Sequence, residues 1–168
     1  DIAIKLANTG HLTFSTLHTN DAPSAISRLF KIGVEPFLLA QALNIIVAQR
    51  LLRRLCKKCR QPAGGIDDHV LARLGFSQDD AEEATLFKAV GCPDCVEGYK
   101  GRVAIHESLY ITPEIRELII ESNDRVDVDL IRATAFAHGM QTLRSSGLQL
   151  VKKGITTIEE VASLTVQA

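Results

Sequence analysis

Two short turns constrain this chain more than anything else in it: Cys56-Lys-Lys-Cys59 and Cys92-Pro-Asp-Cys95, which between them hold all four cysteines. A C-x2-C turn lets two thiolates converge on one tetrahedral ion at about 2.3 Å, and two such turns complete a closed shell of sulfur. With every ligand a cysteine, no position stays open for water, so the spacing predicts a structural zinc and not a catalytic one. Two disulfides or a redox-active pair form the alternative, which a cytosolic chain disfavours. The segment between the pairs includes an acidic run at 78–84, "QDDAEEA", and offers little core. Metal binding, worth on the order of 10 kcal/mol in small metal-folded peptides, is then what orders the module.

The rest of the chain can build an ordinary core. It has 168 residues, 46% of them apolar but only 5% aromatic, so one aliphatic domain or a small domain with an appended module fits. A formal charge of −1 gives no global pull toward nucleic acid or anionic lipid. No apolar run reaches the roughly 18 residues of a membrane span, and no leader pattern is visible, so the chain reads as cytosolic. It starts at Asp1 and enters "IAIKLA" without an N-cap residue, so the first helix reads as cut, with a larger protein expected upstream.

Hydrophobic period and capping residues predict the elements. Gly10 stops the first helix, and "HLTFSTL" (11–17) reads as a buried strand with a histidine near each end, His11 and His18. Asp21 caps a helix that ends at Gly33, and "EPFLLAQALNII" (35–46) reads as a second, buried helix. "VAQRLLRRLC" (47–56) is a strand, 67–76 a short amphipathic helix, "TLFKAV" (85–90) a strand, and "GRVAIHESLYI" (101–111) a strand with Val103, Ile105 and Leu109 on one face. The last third reads as helical, with a capping box in which Thr157 faces Glu160.

Two clusters of side chains call for a function. Arg50, Arg53, Arg54, Lys57, Lys58 and Arg60 crowd the first cysteine turn. They suit a phosphate, a nucleic acid or an acidic neighbour, or they compensate a dianionic zinc tetrathiolate. No aromatics interleave with them, which argues against nucleic acid. Ser15, Thr16, His18, Thr19 and Asn20 gather at the end of the 11–17 stretch, where open α/β sheets place ligands. His69, His106 and His138 lack such neighbours and read as surface or packing residues.

At this point "TGHLTFSTLHTNDA" resembles the histidine box of the secretion-type P-loop ATPases, the family of the type II secretion ATPase GspE and the type IV pilus motors PilB and PilT. "GVEPFLLAQAL", "AQRLLRRLC", the two cysteine pairs, "GYKGRVAIHE" and "GITTIEEV" resemble successive landmarks of its assembly and secretion branch, so the resemblance covers almost the whole chain. The wording of "VGCPDCVEGYKGR" and "LRSSGLQLVKKGITTIEEV" is more similar to the pilus assembly motors than to the secretion ATPases. His106 departs from the family, which usually has tyrosine there.

The resemblance implies an α/β fold: the C-terminal half of a RecA-like P-loop ATPase domain (1–55), a tetracysteine zinc module with adjoining strands (56–111) and a C-terminal helical bundle (112–168). It implies a homo-hexamer at the cytoplasmic face of the bacterial inner membrane, using ATP and Mg²⁺ to move a platform protein, with peripheral membrane association through partners and no nucleic acid. Within it, His11 and His18 match the box histidines near the nucleotide phosphates, with Thr19 beside them. Arg50 matches the arginine of the family's "AQRL" motif at the nucleotide site or subunit interface. Cys56, Cys59, Cys92 and Cys95 match zinc ligands. No Gly-Lys pair occurs in the sequence, so no Walker A loop is present, and the chain alone is expected not to hydrolyse ATP.

Overall fold

A long two-stranded ribbon organises the chain. In the computed structural model, which describes residues 2–64, 71, 72, 75, 76, 85–122 and 125–165, strand β1 (Ile45–Leu55) pairs with β4 (Tyr99–Tyr110). Hydrogen bonds beyond the strand ends, Ile111 N–H to Asn44 O (3.0 Å) and Cys56 N–H to Gly98 O (2.8 Å), make the ribbon antiparallel. A second pair, β2 (Gln61–Pro62) and β3 (Phe87–Lys88), is antiparallel with Gln61 opposite Lys88.

The chain divides into two units that are discontinuous in sequence, 1–48 with 107–141 and 49–106 with 142–168. Each strand of the ribbon contributes residues to both units.

The first unit holds α1 (Ile2–Asn8), α2 (Ala22–Lys31), α3 (Pro36–Ala42), α4 (Pro113–Ile120) and α5 (Val128–Ala137). Its core is aliphatic: Ile26, Leu39, Leu109, Ile115, Ile119 and Ile131 are essentially inaccessible. On β4 Glu107 and Leu109 are buried, and the Glu107 carboxylate accepts a hydrogen bond from Ala22 N–H at 2.9 Å. The carboxylate thereby satisfies one of the orphan donors at the start of α2.

Asp21 caps the same helix, its Oδ1 accepting from Ser24 N–H at 2.8 Å while Oδ2 meets Arg132 Nη2 at 2.9 Å. Partial burial alone would raise its pKa, but the Ser24 bonds and the Arg132 guanidinium outweigh that and lower it. A lowered folded pKa adds stability above the unfolded value of about 3.9, and this is lost as pH falls through the folded one. Asp21→Ala is expected to cost about 1–2 kcal/mol in urea unfolding at neutral pH. The gap to wild type should narrow toward pH 3, and a pH-independent gap would refute the role of the ionised carboxylate.

The second unit holds the cysteine turns, β2, β3, α6 (Leu143–Lys152) and α7 (Ile158–Leu164). The two helices approach closely at Gly147, where an added Cβ would lie 2.7 Å from Val161. Leu148, Val151, Ile158 and Val161 are buried there, with Leu52, Leu55 and Ile105 of the ribbon.

Several expectations are corrected. Residues 11–19 form no strand, and Leu12 and Phe14 there are 85% and 86% exposed. A β-pattern becomes a strand only when a neighbour satisfies its backbone groups, and no described segment pairs with this one. Helix α3 ends at Ala42 instead of Ile46, because Ile45 and Ile46 are already in the ribbon. Of the C-terminal helices, α4 and α5 lie in the first unit and α6 and α7 in the second. The acidic run 78–84, His69 and most of the 67–76 helix lie outside the described residues. No helix among the described residues is long and apolar enough to cross a membrane.

Candidate metal centre

The chain's only cysteines meet in one cluster. Both C-x2-C segments are tight turns, with Cys59 N–H donating to Cys56 O (3.4 Å) and Cys95 N–H to Cys92 O (3.2 Å). Two pairings bring the turns together: Cys56 N–H to Gly98 O at the end of the ribbon, and β2 with β3 just beyond Cys59 and before Cys92. Gly98 has φ +84°, and a Cβ there would lie 2.7 Å from Ala89 Cβ and 2.8 Å from Val90 N, so the turn after Cys95 closes only on glycine.

All four Sγ atoms lie within 4.8 Å of one another. Cys56 to Cys92 is 3.9 Å, Cys59 to Cys95 is 3.7 Å and Cys92 to Cys95 is 3.6 Å. A tetrahedron of sulfurs about 2.3 Å from a central zinc has edges of about 3.8 Å, whereas a disulfide needs about 2.05 Å. The cluster therefore fits one tetrahedral ion, and the cysteines are free thiols.

The surroundings of the sulfurs shift their protonation in opposite directions. The Lys58 backbone N–H donates to the Cys56 sulfur and lowers its pKa to about 7, while burial pushes Cys59 up to about 12. Without a cation, four thiolates so close together repel one another, so binding a metal releases protons and weakens on acidification.

The basic run beside the cluster is partly consumed by the fold. Arg53 donates to Glu160 through its backbone N–H (2.9 Å), Nε (3.0 Å) and Nη2 (2.8 Å), reaches Glu97 at 3.3 Å and stacks on Tyr99 at 4.1 Å. Tyr99 Oη in turn meets Thr157 Oγ1 at 3.0 Å. Arg53 thus ties the turn after Cys95 to the start of α7. Arg60 stacks on Phe87 and donates to Gly154 O, and Lys58 pairs with Asp94 at 2.5 Å.

Glu160 was expected to complete a capping box. Thr157 Oγ1 does accept from Glu160 N–H at 3.3 Å, but the carboxylate goes to Arg53 instead. Burial would raise the Glu160 pKa, and the Arg53 bonds reverse this and lower it. Sequence reading missed this pair because it joins residues 107 positions apart. It also missed Glu107, although the period-2 pattern already placed it between Ile105 and Leu109 on the inward face.

His11 and His18 are exposed on the 11–19 segment, with His11 Nδ1 3.0 Å from Thr9 Oγ1, and Thr19 is half-buried. They belong to the first unit. Arg50, half-buried on β1, belongs to the second.

Comparison with known proteins gives a consistent answer over nearly the whole chain. The family model described as "Type II/IV secretion system protein" matches residues 1–163. The type IV pilus assembly ATPase PilB of Acinetobacter baylyi is 45% identical over 98% of this chain and 28% of its own length. The corresponding protein of Myxococcus xanthus is 45% identical over 98% of this chain and 29% of its own. The type II secretion system ATPase E of Vibrio cholerae is 40% identical over 98% of this chain and 31% of its own. The chain thus spans less than a third of the relatives it matches.

Proposed function

Because this chain belongs to the type II/IV secretion system protein family, we propose that it is the C-terminal part of a hexameric ATPase that powers type IV pilus assembly. The observation that carries this reading is the 45% identity to pilus assembly ATPases over 98% of the chain. A type II secretion ATPase is the second reading, favoured by the 40% identity to the Vibrio cholerae protein over the same span. In either case the intact protein would work at the cytoplasmic face of the inner membrane, against a platform protein, and the fold would be the latter half of a RecA-like domain.

In this reading Cys56, Cys59, Cys92 and Cys95 hold a structural zinc, which cross-links the two turns and offers no open position to a substrate. His11, His18 and Thr19 form one wall of a nucleotide site, the imidazoles facing the phosphates, and Arg50 acts at that site or at the subunit interface. The 11–19 stretch finds its strand partners in the intact protein, which would cover Leu12 and Phe14. The chain itself supplies imidazoles but no Gly-Lys loop whose backbone N–H groups cradle phosphates.

Two outcomes are therefore expected from one assay of phosphate release with ATP and Mg²⁺. The intact protein turns over ATP and the isolated chain does not. Turnover by the isolated chain would sink the assignment of its missing half. Failure of the intact protein to turn over, while hexameric and zinc-loaded, would sink the ATPase reading.

A further inference from the structure

Beside the first cysteine turn lies a concavity of about 310 Å³, lined by Arg54, Leu55, Cys56, Lys57, Lys58 and Lys100. Its cations come from three elements: Arg54 from β1, Lys57 and Lys58 from the turn, and Lys100 from β4. All four are exposed. Among the described residues, only Lys58 has a carboxylate partner, Asp94, and none pairs with Arg54, Lys57 or Lys100. By contrast Arg53 and Arg60, from the same run, are held by Glu160 and by Gly154 with Phe87. The charge of a metal tetrathiolate accounts for cations in the turn, but not for two more that the ribbon brings from outside it.

The chemistry of the concavity separates its ligand classes. A phosphate site draws on converging backbone N–H groups or on bidentate arginines. Here the amides of the turn are committed inward, Cys59 and Arg60 N–H to Cys56 O (3.4 and 3.0 Å) and Lys58 N–H to the Cys56 sulfur, and a single arginine is present. No aromatic side chain lines the concavity to stack a base. What remains is the buried Leu55 beside Cys56, with Arg54, Lys57 and Lys100 around it, which have no carboxylate partner among the described residues. Charge-complementary to that is a chain segment that places one aliphatic side chain in the hollow and carboxylates around it.

We propose that this concavity is a docking site for an acidic segment of a partner protein, anchored by an aliphatic residue. The inference uses only the second unit and does not depend on nucleotide chemistry elsewhere.

The test is fluorescence anisotropy with the zinc-loaded full chain and a labelled peptide, Glu-Glu-Leu-Glu-Glu. Saturable binding is expected, about tenfold weaker for the double variant Lys57→Gln and Lys100→Gln, and weaker again as salt rises. Replacing the peptide's leucine by serine should cost about tenfold more. Lys31→Gln, in the first unit, should change nothing. Arg54→Gln, on the ribbon outside the turn, repeats the test should the double variant lose its metal. The proposal falls if glutamine-for-glutamate peptide binds equally, or if the variants bind as wild type. It falls equally if a short DNA duplex or phosphatidylglycerol vesicles bind more tightly than the peptide and lose binding in the same variants, which would mark a phosphate site.

Discussion

Chelation of the purified chain is expected to release about one zinc per chain, expose all four thiols and unfold the segments around 56–62 and 87–99. The magnitudes decide this. Metal binding in small metal-folded peptides contributes on the order of 10 kcal/mol, comparable with the whole stability of an ordinary domain at about 5–15 kcal/mol. Against this, among the described residues, β2 and β3 have only two residues each, and Arg60 stacked on Phe87 ties them to the 154 turn. An isolated pair of strands so short has no independent stability in water. Elemental analysis, thiol titration and circular dichroism before and after chelation check it together. Cysteines that titrate freely before chelation, or a spectrum unchanged after it, would show that the turns stand without metal.

The second large effect belongs to Gly98. Gly98→Ala is expected to destabilise the chain by about 2–4 kcal/mol, combining a left-handed backbone with overpacking. The overpacking is against backbone, Val90 N at 2.8 Å, as well as Ala89 Cβ at 2.7 Å, and the backbone has little room to yield. Gly101 supplies the control. It has a similar φ of +77° but nothing within 4 Å of an added Cβ, so Gly101→Ala should cost about 1 kcal/mol. Gly98 O also accepts from Cys56 N–H at 2.8 Å, so the Gly98 variant should lose zinc more readily as well. Equal losses in the two variants, read from urea unfolding, would remove the steric part of the argument.

Much of this was legible in the sequence where the determinant is local. Asp21 and Thr157, read as caps from the sequence, each cap the helix that follows, as a short polar oxygen ahead of an apolar run requires. The cysteine spacing led directly to the cluster, because a C-x2-C turn is itself a local structure. The strand pattern of 11–17 failed for the complementary reason: alternation and β-branching describe a preference, and a strand also needs a neighbour. The capping box at 157–160 was half right, since the amide obeyed the local rule and the carboxylate obeyed a longer-range one.

What the sequence by itself determined is therefore the caps at Asp21 and Thr157, the cysteine pairs that cluster and the family to which the chain belongs. Only the tertiary structure decided that Arg53 leaves the basic run for Glu160, that Glu107 turns inward to Ala22, and that Arg54 and Lys100 converge on the hollow beside the cysteine cluster. The reason is physical. Caps and knuckles close within a few residues, so their energetics are written in local spacing, whereas the partner of a buried carboxylate is chosen by which donor the fold brings within about 3 Å.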